Sequence, residues 1–130
     1  MTLNHTFEGL LVSQDVQLLR GMSGMMEDLS IQVDVCTLSS RANDLLEKRE
    51  IDLLVVDWDT TGGSDLVRTI SNTTGRQMTI VAIVDQVIAE DLAIQAGAHA
   101  VVYKPLTAYY SARLPKIWQQ TVTLSISSPT

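Results

Sequence analysis

Four short stretches of the chain are apolar without interruption: Leu10-Leu11-Val12, Leu53 to Val56, Ile80 to Val84 and Ala100 to Tyr103. None is long enough for a helix of ordinary length, and none alternates with polar residues. Such runs suit strands covered on both faces, as in a parallel sheet. A fifth stretch, "IQVDVC" at 31–36, does alternate, with Ile31, Val33 and Val35 between polar partners, as an edge or half-buried strand would.

Helical spacing fills the gaps. Val16, Leu19, Met22, Met26 and Leu29 form one stripe, with Asp15 as its N-cap. "RANDLLEKRE" at 41–50 turns Leu45 and Leu46 inward. "SDLVRTI" starts on a capping Ser64 and presents Leu66, Val67 and Ile70. "VIAEDLAIQAGA" puts Ile88, Leu92 and Ala96 on one face, and Gly97 suits its C-terminal cap. A last helix over 107–121 contains Pro115, which predicts a kink or break. The order is β-α repeated five times. Right-handed crossovers then give an α/β fold with a doubly wound parallel sheet and helices on both faces. The domain is expected over 1–121. Residues 122–130, rich in Ser and Thr, read as a tail or linker, or as the first strand of a following domain.

Composition narrows the function. The chain has 130 residues, 45% hydrophobic and 18% charged, enough to bury a core without a disulfide or metal. Cys36 is the single cysteine, and His5 and His99 stand far apart, which argues against a zinc site. No stretch reads as a signal peptide or a membrane span, so a cytoplasmic protein is expected. The net charge of −6 disfavours direct contact with nucleic acid. All fifteen acids lie at or before Asp91, whereas Lys104, Arg113 and Lys116 lie after it. That leaves a solvated basic helix, or a basic face that docks on something acidic.

In a doubly wound sheet, function gathers at the carboxyl ends of the strands. Those ends carry Ser13-Gln14-Asp15, Asp57-Trp58-Asp59, Val84-Asp85 and Lys104-Pro105. Asp15, Asp57, Asp59 and Lys104 are therefore expected at one edge. Carboxylates with one ammonium suit a hard cation and a phosphoryl guest. The first β-α turn, "SQDVQLLRG", has no glycine-rich phosphate loop, which argues against a nucleotide or flavin binder.

Residues 7 to about 118 resemble the receiver domain of two-component response regulators. The likeness rests on "LLVSQDVQLLR", "DLLVVDWDTTGG" and "AGAHAVVYKPL". It implies the flavodoxin-like strand order 2-1-3-4-5 and a phosphorelay role without enzyme activity beyond self-phosphotransfer. It implies that Asp57 accepts a phosphoryl group from a histidine kinase or phosphotransfer protein. Lys104 would contact the phosphate. Asp15 and Asp57 would hold Mg²⁺, together with the main-chain carbonyl of Asp59. Pro105 would follow Lys104 through a bond the family usually holds cis. The signal would leave through the fourth helix, fifth strand and fifth helix, toward an output domain or a homodimer partner.

The departures from that pattern point the other way. Gln14 stands for an acid, Val84 for a hydroxyl residue, Val101 for an aromatic switch and Thr61 for a common proline. A missing unit charge at 4 Å is worth about 4 kcal/mol at an effective dielectric of 20, so Mg²⁺ is expected to bind at least ~10-fold more weakly. The Asp59 carboxylate either restores some charge or is a solvated loop acid. Two readings follow. One is a phosphoaccepting receiver with weakened switching. The other is a phosphorylation-independent pseudo-receiver that serves as an interaction or dimerisation module.

Overall fold

The computed structural model describes residues 7–73 and 78–104. Five strands, β1 (Phe7–Val12), β2 (Ile31–Cys36), β3 (Leu53–Asp57), β4 (Thr79–Val84) and β5 (Ala100–Tyr103), alternate with four helices. The helices are α1 (Val16–Asp28), α2 (Ser39–Lys48), α3 (Gly63–Ser71) and α4 (Val87–Ala96). All pairings are parallel and the order is β2-β1-β3-β4-β5. The expected doubly wound sheet is the one found. The final helix over 107–121, Pro105, Pro115 and the tail at 122–130 lie outside the described residues.

The continuous apolar runs are continuous because both faces of the sheet are covered. Leu10, Val12, Leu54, Val56, Ile80, Ala82 and Val84 pack on one side with α2, α3 and α4. Leu11, Leu53, Val55, Val81, Ile83 and Val102 face the other side, where α1 contributes Leu18, Met22 and Met26. The alternating stretch becomes β2 at the sheet edge, with Gln32 and Val35 exposed. Among the described residues no helix is long and apolar enough to cross a membrane.

Four helical details differ from the sequence reading. The α1 stripe runs through Leu18, Met22 and Met26, and Val16 is exposed. In α2, Ala42 and Leu46 are buried while Leu45 is only partly covered. The N-cap of α3 is Gly62, left-handed at φ 78°, not Ser64. The largest difference is α4, which buries Ala89, Ala93 and Ala96 and turns Val87, Ile88, Leu92 and Ile94 outward. The reason is space. Where α3 and α4 end, the Ser71 hydroxyl donates to the Ala96 carbonyl at 2.7 Å, and a Cβ on Gly97 would lie 2.3 Å from the Ser71 Cβ. Helices that close admit alanine and exclude isoleucine or leucine. Gly97 does cap α4, at φ 120°.

Candidate functional site

The parallel register sets the site. Val12 of β1 lies beside Val56 of β3, so the next residue along, Ser13, comes level with Asp57. Ser13 is fully buried, and its hydroxyl donates to Asp57 Oδ2 at 2.7 Å. Asp57 closes β3 and is itself only 2% exposed. Lys104, just past β5, brings its Nζ to 2.9 Å from Asp57 Oδ1 and 3.0 Å from Oδ2. The Lys104 backbone N–H donates to the Val84 carbonyl at 2.7 Å, which fixes where the lysine stem leaves the sheet. The Asp59 backbone N–H adds a bond to Asp57 Oδ1 at 3.2 Å. A buried carboxylate thus has a hydroxyl, an amide and an ammonium around it, which is how buried charge is tolerated.

The Lys104 pKa is raised. Burial alone would lower it, but the hydrogen bond and charge of Asp57 outweigh that, with help from Asp59 and then Asp15. The Asp59 carboxylate lies 3.6 Å from Lys104 and is half exposed.

The residues around the pair tie the strand-end loops together. The Gln14 N–H donates to the Thr60 hydroxyl at 3.2 Å, and the Gln14 Oε1 accepts from the Thr61 N–H at 3.4 Å. Thr60 is buried. Trp58 is partly buried against the core, as expected for an amphipathic ring at a strand end. Val84 is fully buried and Val101 partly so; neither position offers a hydroxyl or an aromatic ring. Tyr103, two residues beyond Val101 on the same face, donates its hydroxyl to Glu90 of α4. Tyr103→Phe is expected to cost about 1 kcal/mol, read as a lower urea midpoint at unchanged m-value.

Asp57, Lys104 and Asp59 meet as the sequence predicts. Asp15 acts on Lys104 through its charge, while one of its carboxylate oxygens caps α1. Its Oδ1 accepts from the Gln17 N–H at 3.0 Å and the Leu18 N–H at 3.2 Å, capping α1. Its backbone N–H donates to the Ser13 hydroxyl oxygen at 3.0 Å. Loss of that cap in Asp15→Ala is expected to cost about 1 kcal/mol, measurable by chemical denaturation.

The sequence assigns Asp15, Asp57 and Asp59 to one Mg²⁺. Among the described residues, no three His, Cys, Asp or Glu side chains form a group that could hold a metal. The physical reason is visible in the donors: the loop after β1 contributes a hydroxyl and an amide here, and one Asp15 oxygen, Oδ1, caps the helix. With Gln14 in place of an acid and Asp57 already paired with Lys104, this donor set is a poor one for Mg²⁺. Ser13 is the residue that motif reading passes over, since a lone serine carries no signal; the β1–β3 register is what singles it out. His99 sits at the opposite end of the sheet, where its Nδ1 accepts from the Ile80 N–H at 2.9 Å. Cys36 is buried, and burial pushes its thiol pKa up.

Solved structures with this arrangement of strands decide the kind of fold. NtrX from Brucella abortus, in complex with ADP, is 19% identical, with a TM-score of 0.80 over 93% of this chain. A CheY-like response regulator receiver domain protein from Methanospirillum hungatei is 17% identical, with a TM-score of 0.77, covering 92% of this chain and 96% of that one. The signal receiver domain of a DNA-binding response regulator from Colwellia psychrerythraea is 20% identical, with a TM-score of 0.79, covering 90% and 98%. The fold is that of a receiver domain. At these identities the likeness is one of fold. The chain spans 27% of the NtrX chain and nearly all of the two receiver domains. No protein-family model matches the sequence, and no curated protein matches it.

Proposed function

We propose that the chain is a signal-transduction receiver module, with Asp57 as the position that accepts a phosphoryl group and Lys104 as its phosphate-contacting partner. The observation that carries this reading is the Asp57–Lys104 pair, 2.9 Å apart at the carboxyl end of a 2-1-3-4-5 sheet. The ammonium supplies the positive charge that an incoming phosphoryl group needs. An Asp57 oxygen would attack phosphorus of a phosphohistidine on a kinase or phosphotransfer protein. The new P–O bond forms as the P–N bond breaks, and the electron pair leaves with the imidazole. Ser13 and Lys104 must yield their bonds to that oxygen first. No step of this reading passes through Mg²⁺. Such a module is regulatory, not an enzyme with a separate substrate, and its place is the cytoplasm. Output would pass through α4 and β5, joined by the expected fifth helix, to an output domain or a second copy. Val84 and Val101 leave that switching weak.

A second reading is favoured by one observation: both Asp57 oxygens are occupied and the carboxylate is sealed from solvent. On that reading the chain is a phosphorylation-independent interaction module. Beryllofluoride, a phosphoryl mimic, separates the two. It is added with and without Mg²⁺ to a Trp118→Phe background, and Trp58 fluorescence is followed. A response that vanishes in Asp57→Asn supports phosphoryl acceptance. Silence under every condition rejects it in favour of the interaction module.

A further inference from the structure

We propose that the Asp57 centre is built to stand without a divalent cation, with Ser13 and Lys104 doing the work that a metal and its acids would do. This rests on the receiver reading of Asp57 and deepens it. The inference comes from where each oxygen already points. A carboxylate has about four lone-pair sites. At Asp57 these face the Ser13 hydroxyl, the Asp59 N–H and Lys104, which touches both oxygens. Ser13 has one proton to give. Because its oxygen accepts from the Asp15 N–H, that proton is aimed at Asp57.

The neighbouring oxygens are in part committed. Gln14 offers only an amide oxygen, which accepts from the Thr61 N–H, and one Asp15 oxygen, Oδ1, accepts from two N–H groups of the first turn of α1. Mg²⁺ asks for near-octahedral oxygens and sheds water reluctantly, so a neutral amide and a carboxylate shared with a helix end hold it poorly. It would also have to approach a carboxylate already paired with an ammonium at 2.9 Å. Ser13 is the residue that decides this. Fully buried beside Asp57, it donates a hydrogen bond where a carboxylate would have repelled Asp57 and called for a cation.

The experiment adds Mg²⁺ alone to the full chain and follows the backbone amide resonances of residues 57–61. Wild type is expected to show no saturable shift at millimolar Mg²⁺. Ser13→Asp is expected to bind at least ~10-fold more tightly than wild type, since a unit charge at contact range is worth that much. Its thermal midpoint should climb with Mg²⁺ concentration. Ser13→Ala, which adds no charge, should stay as silent as wild type.

Saturable binding by wild type that disappears in Asp57→Asn overturns the proposal, whatever the variants do. A folded Ser13→Asp that remains silent also overturns it, because Ser13 is then not what keeps the cation out. The wild-type titration needs no variant to fold. The two readings fail separately. A wild type that ignores both Mg²⁺ and beryllofluoride loses phosphoryl acceptance but keeps this inference; one that binds Mg²⁺ and answers beryllofluoride does the reverse.

Discussion

Lys104→Met will destabilise the fold by about 3 kcal/mol, the cost of leaving a buried charge without its partner. Methionine keeps most of the lysine stem and its packing, so the loss isolates the ammonium. The carboxylate it abandons is 2% exposed and keeps only the Ser13 and Asp59 bonds. The size of the effect follows from that burial, because exposed pairs are worth far less. Pairing the change with Asp57→Asn should recover much of the loss, since an amide needs no counter-charge. Urea denaturation of wild type, both single variants and the double variant gives the coupling directly. Strictly additive single effects would show that the pair contributes nothing to stability.

The same pair sets an alkaline dependence. The Lys104 pKa is raised in the folded state, so its contribution is complete below the ordinary lysine range and is lost as pH climbs through the folded value. The gap between wild type and Lys104→Met is therefore flat through neutral pH and closes only in strongly alkaline solution.

Gly97→Ala is expected to cost about as much, from a different source. Its φ of 120° lies where side chains are strained, worth about 1–2 kcal/mol. The new methyl would also fall 2.3 Å from the Ser71 Cβ and 2.4 Å from its Oγ, adding about 1–3 kcal/mol of overpacking. Ser71→Ala cannot relieve the clash, because the Ser71 Cβ is itself the nearest atom. Ser71→Gly removes that atom, so Gly97→Ala should cost less in a Ser71→Gly background. Thermal unfolding of the four proteins tests this, and equal costs in both backgrounds would place the strain in the backbone alone.

The sheet was legible because β3 and β4 have polar residues only at their ends, which leaves no other period to choose. Helix α4 was not. Its sequence is apolar nearly all round, so alanines and large aliphatics offered two competing inward faces, and periodicity cannot rank them. The close approach of α3, marked by Ser71 and Gly97, chose the alanines, and that contact is tertiary. At the site, Asp57 and Lys104 were readable as charged residues closing apolar runs. Asp15 was readable as the cap ahead of the α1 stripe, whereas the part played by Ser13 was not.

Ser13, Asp57 and Lys104 stand at the carboxyl ends of three strands, β1, β3 and β5, and are separated by 44 and 47 residues along the chain. Bringing residues that far apart together costs the entropy of the intervening loops. Loosening β5 at the rim of the sheet would carry Lys104 away and undo the triad while β1 and β3 stayed joined, so the triad lasts only as long as β5 keeps its place beside β4.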